Sequence, residues 1–293
     1  MDVRSLQQFV HLADTLHFGR ASEACHISPS ALSRHIKHME ELLGVSLFAR
    51  DNRSVALTAE GELFLGYARD SLAQWDVVQN QLMERSGELH GEISMYCSVT
   101  ASYSFLFDIL SAFREAHPRI EIKLHTGDPE HSINRVMAGH EDIAIGARPA
   151  VLPVGLSFKP IKSTPLVFIV SDKQSALLQL GKPRWGKVPM ILSETGLGRR
   201  RVDDWFTAQG IQPNVYAQVA GNEAIVSMVS LGFGVGVVPK IVLDNSPLAD
   251  KIRVIDVEPH LETYDVGLFA LDKKLKSPLI RAFWSLIRGT ASS

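Results

Sequence analysis

Hydrophobic positions in the first fifty residues recur at helical intervals. Leu6, Phe9, Val10, Ala13 and Leu16 lie on one face of a helix, and Ala21, Ala24 and Cys25 make a short second apolar face. Ser28-Pro29 is a helix start, with Ser as N-cap and Pro at the first helical position. Leu32, Ile36, Met39, Leu42 and Leu43 continue that helix until Gly44 closes it. Residues 47–50 and 54–57 are strand-like runs around the turn Asp51-Asn52-Arg53. Thr58 then suits the N-cap of a helix running to about residue 87. Along it Phe64, Ala68, Ser71, Trp75, Val78 and Leu82 form a heptad-like seam. Such a seam packs either on its own core or on a second copy. We favour the second copy, because no other long helix in the chain offers a matching seam.

From Gly91 the pattern changes. Strands at 93–97, 120–124 and 143–146 alternate with helices at 105–117 and 132–138. Short apolar runs at 167–170, 190–192, 215–219 and 234–238 follow, with helices at 203–209 and 223–231. Strands alternating with helices imply parallel βαβ units, and the length suffices for two small α/β lobes. The expected fold is therefore multidomain, α followed by α/β. Residues 1–58 form a winged helix-turn-helix, 59–88 a long linker and dimerisation helix, and 91–293 a two-lobed domain. Lobe I spans about 91–161 and 268–293, and lobe II about 162–267.

Composition narrows the function. With 293 residues, 45% hydrophobic and 21% charged, the chain is neither disordered nor polybasic, and its formal net charge is −2. The most apolar stretch, 225–239, is broken by three glycines and is too short to span a membrane. The first twenty residues lack a basic stretch followed by an apolar one, so no secretory leader is expected. Cys25 and Cys97 stand in unrelated contexts and read as packing residues in a reducing cytoplasm. No nucleophile–base pair, metal-ligand spacing or phosphate loop appears, so neither catalysis, metal nor cofactor is expected. His125, His131 and His140 read as surface or turn residues.

Residues 18–37 have the layout of a helix-turn-helix, whose second helix presents its N-terminal residues to base edges in the major groove. Ser30, Ser33, Arg34 and Lys37 would occupy that edge, with Leu32 and Ile36 facing inward. Arg34 suits bidentate contact to guanine, and Lys37 a base or phosphate. Arg50 and Arg53 would place charge on a wing, in a minor groove or on phosphate. The segment is not basic overall: residues 1–60 hold six Lys/Arg and seven Asp/Glu. Double-stranded DNA as a partner therefore rests on where the charges lie.

In two α/β lobes, a ligand sits between them at strand ends and helix starts. Ser98, Thr100 and Ser102 follow the first strand and can hold a carboxylate. Thr126 and Gly127 follow the second, Ser193 and Thr195 follow the run 190–192, and Asn222 suits an N-cap. Arg199-Arg200-Arg201 reads as a solvated run, with anion steering or a subunit contact as alternatives, and Arg148 lies near the lobe junction.

Residues 1–60 resemble the winged helix-turn-helix of LysR-type transcriptional regulators. The matching residues include Leu6, Phe9, Phe18, Ala21, Ala24, Ser33, Ile36, Glu40, Leu43-Gly44, Leu47-Phe48, Arg50, Leu57-Thr58 and Gly61. The chain departs from the family pattern at Ser22, Cys25 and Pro29. "GHEDIAIG" from Gly139 and "VSLGFGVGVVP" from Val229 resemble runs of that family's effector domain. The resemblance implies a linker helix, a two-lobed domain like the periplasmic binding proteins, self-association as dimer or tetramer, and a small carboxylate effector. Within the family the chain resembles activators of branched-chain amino acid (isoleucine/valine) biosynthesis, which implies 2-acetolactate or 2-aceto-2-hydroxybutyrate. The rivals are a LysR-type regulator of another pathway responding to a different small carboxylate, a small-molecule-binding module or transport receptor, which would leave residues 1–60 unexplained, and an enzyme, for which no constellation is present.

Overall fold

The structure, a computed structural model, describes residues 1–50, 54–85, 89–174 and 185–287. The chain divides into two compact units, Met1–Ser86 and Gly87–Ser293.

The first unit contains α1 (Val3–Thr15), α2 (Phe18–Ala24), α3 (Pro29–Leu43), the antiparallel pair β1 (Phe48–Arg50) and β2 (Val55–Leu57), and α4 (Ala59–Arg85). Its helix starts are capped by side chains, which satisfy N–H groups that have no partner inside the helix. Asp2 Oδ1 accepts Ser5 N–H at 2.8 Å, and Ser28 Oγ accepts Ala31 N–H at 3.2 Å. Thr58 Oγ1 accepts Gly61 N–H at 2.9 Å and donates to the Ser46 carbonyl at 2.7 Å. Leu6, Phe9, Leu12, Leu32, Ile36, Met39 and Phe48 close over one core, with Phe9 edge-on to Phe64 at 4.8 Å.

That core corrects the expected seam on α4. Ala68 is buried within it and Phe64 packs against it, so neither faces outward. The exposed stripe is instead Leu63, Tyr67, Trp75, Val78 and Leu82, one residue out of register in the first turns. Apolar side chains on both faces of the first two turns conceal which face the core takes.

The second unit runs β3 (Gly91–Cys97), α5 (Val99–Tyr103), α6 (Phe105–Ala116), β4 (Ile120–Thr126), α7 (Ser132–Met137), β5 (Ile143–Ala147), β6 (Leu156–Ser171), β7 (Pro189–Ser193), α8 (Gly196–Ala208), β8 (Asn214–Val219), α9 (Asn222–Ser230), β9 (Val235–Pro239), α10 (Lys240–Asp244), β10 (Ile252–Ile255), β11 (Thr263–Leu271) and α11 (Pro278–Leu286). The strand order is β4-β3-β5-β11-β6-β9-β7-β8, with β10 also on β6. Parallel pairs β3·β4, β3·β5, β7·β8 and β7·β9 are those the alternating pattern predicts. The sheet is mixed, however, because β6, β10 and β11 join antiparallel. β6 passes through both lobes: Leu156–Pro165 pair with β11, and Leu166–Ser171 with β9 and β10. Lobe I buries Ile93, Met95, Phe113 and Phe283, and lobe II stacks Phe168, Trp185, Trp205 and Phe206.

Candidate functional site

In the first unit, α3 lays Leu32, Ile36 and Met39 into the core, and His35 Nδ1 lies 2.8 Å from Gln8 Oε1 of α1. Its other edge is polar. Ser30, Arg34 and Lys37 are exposed and Ser33 is half-buried, so all four occupy one outward-facing strip. Ser30 Oγ is 3.1 Å from Ser28 Oγ, and Lys37 Nζ is 3.7 Å from Glu41 Oε1, both water-exposed contacts that bind little. Arg50 ends β1, but its side chain lies outside the described residues, as does the whole of Arg53. The local pattern gives Glu40 no role, yet one of its carboxylate oxygens accepts the N–H of both Leu47 and Phe48, joining α3 to the start of β1.

In the second unit a cavity of about 110 Å³ opens between the lobes. The residues expected at a ligand site divide. Ser98, Thr100 and Asn222 line it, whereas Ser102, Thr126, Gly127 and Thr195 do not. Ser193 borders a smaller neighbouring recess that Asn222 also lines. Ser98 caps α5 by accepting Ala101 N–H at 3.2 Å, and Ser102 Oγ turns back to the Val99 carbonyl. Gly127 is a packing position, since a Cβ there would lie 2.4 Å from Tyr96 Oη. Gly221, not Asn222, takes the cap position of α9, and Asn222 is its first residue.

The arginine run is not a uniformly solvated face. α8 begins at Gly196 rather than near residue 203, and so carries the run on its first turns. Arg199 is held by Asp203 at 2.9 Å, the Ser193 carbonyl at 2.9 Å and Gln218 at 2.7 Å. Arg201 donates to the Glu262 and Thr263 carbonyls. Arg200 is exposed and is the one cation among the described residues lining the cavity. Arg148 donates its backbone N–H to the Asp265 carbonyl at 2.8 Å, and its guanidinium lies over Phe158.

Phe105, Ile133, Ile145, Ile241, Val242 and Phe269 give the cavity apolar walls. Beside it, two carboxylates join one lobe to the other, and of these Glu130 lines the cavity. Glu223 Oε1, from α9, accepts the Thr100 N–H at 2.8 Å and the Thr100 hydroxyl at 2.5 Å. Glu130 Oε1, from the 3-10 turn Pro129–His131, accepts the Leu197 N–H at 2.9 Å. Neither was legible in the local pattern, because the Thr100 and Leu197 partners are 123 and 67 residues distant in sequence.

Other clusters are structural. Buried Glu141 accepts Arg135 at 2.6 and 2.8 Å and lies 3.0 Å from His125 Nδ1. Burial pushes the Cys97 thiol up to about 12 and also raises the Cys25 thiol, the latter against the nearby positive charge of Arg4. Among the described residues no group of three His, Cys, Asp or Glu is placed to hold a metal ion, and no helix is long and apolar enough to cross a membrane.

Residues 3–62 match the bacterial regulatory helix-turn-helix protein, lysR family, and residues 86–292 match the LysR substrate binding domain. The HTH-type transcriptional activator IlvY of Salmonella typhimurium is 41% identical, over 98% of this chain and 99% of its own. The HTH-type transcriptional regulator IlvY of Escherichia coli is 40% identical, with the same coverage. A full-length OxyR point variant from Pseudomonas aeruginosa shares the fold, with a TM-score of 0.71 at 22% identity, covering 100% of this chain and 99% of that one.

Proposed function

We infer what this protein senses and controls from one premise: the chain belongs to the LysR family of bacterial transcriptional regulators. It is a ligand-responsive, DNA-binding transcription factor. In our reading it acts in the cytoplasm as an activator of isoleucine and valine biosynthesis, and its effector is 2-acetolactate or 2-aceto-2-hydroxybutyrate. The names of its 40–41% identical relatives support that assignment.

The observation that carries the reading is the interlobe cavity. Its volume of about 110 Å³ is enough to admit a small organic acid. Its apolar walls suit a branched alkyl group, while Ser98, Thr100 and Asn222 offer donors to carboxylate, hydroxyl and ketone oxygens. On DNA, Ser30, Ser33 and Arg34 read the major groove, Lys37 grips phosphate beside it, and Arg50 and Arg53 grip phosphate or a minor groove. The exposed stripe on α4 joins two copies, so that paired α3 helices meet paired half-sites. Effector binding shifts this assembly only by preferring one of its arrangements.

Two titrations test the reading. Full-length protein should select particular genomic fragments with an affinity that falls steeply with salt, and a truncation lacking residues 1–58 should lose that binding. Calorimetry against a panel of small carboxylates should rank the two acetohydroxy acids first. Intact protein without sequence-selective DNA binding would remove the regulator reading, and a flat panel would remove the effector.

A further inference from the structure

The two glutamates that cross the cleft form a reciprocal arrangement. Lobe I sends Glu130 to the Leu197 N–H of lobe II, and lobe II sends Glu223 to Thr100 of lobe I. Both contacts are built. Thr100 is only 2% exposed, and its N–H and hydroxyl converge on one Glu223 oxygen. Gly196 has φ +103°, and a Cβ there would lie 1.9 Å from Glu130 Cδ, so only glycine admits the Glu130 carboxylate beside Leu197. The cavity lies beside both contacts, lined by Glu130, Thr100 and Leu197.

Resting on the reading of this cavity as the effector site, we propose that Glu130 and Glu223 are an interlobe clasp, and that Glu223 is an internal competitor for the effector's carboxylate. Thr100 is the residue at which the two compete. Its two donors already hold a carboxylate, and a second anion cannot share them without like-charge repulsion. An entering acid therefore displaces Glu223. The exchange replaces one charge-assisted pair with another on the same donors, so the donors themselves contribute little net affinity. What changes is the covalent origin of the anion: Glu223 ties lobe II to lobe I, and a free acid does not. Occupancy thus releases one arm of the clasp and weakens the Glu130 arm, since the two arms hold the same pair of lobes. This couples ligand chemistry to lobe arrangement through a difference in affinity between two states, as a ligand switch requires. It also sets specificity, since a neutral analogue lacks the charge to displace Glu223.

The test uses full-length protein with the Glu223→Ala and Glu223→Gln variants. Without ligand, backbone amide exchange at Thr100 should rise about tenfold or more in Glu223→Ala and less in Glu223→Gln, which keeps an acceptor. Exchange at Leu197 should rise as well, because the two arms hold the same pair of lobes. Calorimetry with 2-acetolactate should show about threefold to thirtyfold tighter binding to Glu223→Ala than to wild type, and no comparable gain for its methyl ester. Unchanged or weaker binding of 2-acetolactate by Glu223→Ala, with native thermal unfolding, would overturn the competitor role. Unchanged exchange at Leu197 would overturn the clasp. Absence of 2-acetolactate binding to wild type and variant alike would instead sink the effector assignment, and the ligand-free exchange would still decide the clasp.

Discussion

The carboxylate of Glu40 accepts the backbone N–H of Phe48 at 3.1 Å, and the same oxygen accepts Leu47 N–H at 2.9 Å. One side chain on α3 thereby fixes where the first wing strand begins. Glu40→Ala leaves two backbone donors short of their partner and should destabilise the first unit by about 1–3 kcal/mol. Glu40→Gln, which keeps an acceptor, should cost less. Thermal unfolding followed by circular dichroism reads both, with a lower midpoint expected for Ala than for Gln.

Gly61 supports the same junction from α4. A Cβ at this position would lie 2.1 Å from the Leu47 carbonyl oxygen, a backbone atom that cannot move without shifting β1. Gly61→Ala should therefore destabilise by about 1–3 kcal/mol through overpacking, although alanine is the better helix former. A rise in the unfolding midpoint would show that helix propensity outweighs the clash.

Much of this unit is legible in the sequence, because its signals are local. Ser28-Pro29 starts α3, Gly44 ends it and Thr58 caps α4, each through neighbours a few residues away. The second unit is legible where strands pair in parallel after a helix, and in the apolar second half of β6. The first half of β6 escapes notice because Pro160, Pro165 and several lysines and serines break its apolar alternation, yet β11 pairs with it along its length. α8 escapes at its start because Gly196-Leu197-Gly198 resembles a loop and the arginine run a solvated face. At the cavity, the hydroxyls after β3 could be nominated from their position, whereas Glu130 and Glu223 act through partners on the opposite lobe. Such pairings depend on how the lobes close, which no window of sequence contains.

Arg34 and Lys37 should separate on DNA. Arg34 is exposed on the outward strip, and Arg34→Ala should weaken the preferred sequence by about 1–3 kcal/mol while leaving random DNA almost unchanged. Lys37→Ala should weaken both equally and reduce the salt slope by about one. Fluorescence anisotropy on preferred and random duplexes across salt distinguishes them. Equal losses for Arg34→Ala on both duplexes would assign it to phosphate alone.

The α4 stripe predicts an oligomer defect. Leu82 is 64% exposed and Val78 48% exposed, while Ala68 on the opposite side is buried in its own core. Leu82→Glu should place charge in the interface between copies without disturbing the core of the unit. Sedimentation velocity should report a smaller species with an unchanged circular dichroism spectrum. Persistence of the wild-type species would move the interface elsewhere.

Cys97 offers a prediction with a definite sign in pH. It ends β3, is fully buried, and burial alone pushes its thiol up to about 12, against about 8.5 for an unfolded cysteine. Below about pH 8.5 the thiol is neutral in both states, and the stability associated with burying it is fully present. Above that value the unfolded chain loses the proton and the folded chain does not, so the unfolded state is favoured by up to about 1.4 kcal/mol per pH unit until the folded thiol also titrates. Urea unfolding of wild type and Cys97→Ala at pH 7 and pH 10 isolates this contribution from other titrating groups. The wild type should lose more stability than the variant between the two values. Equal losses would mean that the folded thiol ionises as readily as the unfolded one. The same burial predicts that alkylating reagents at neutral pH modify half-buried Cys25 first and reach Cys97 only on unfolding.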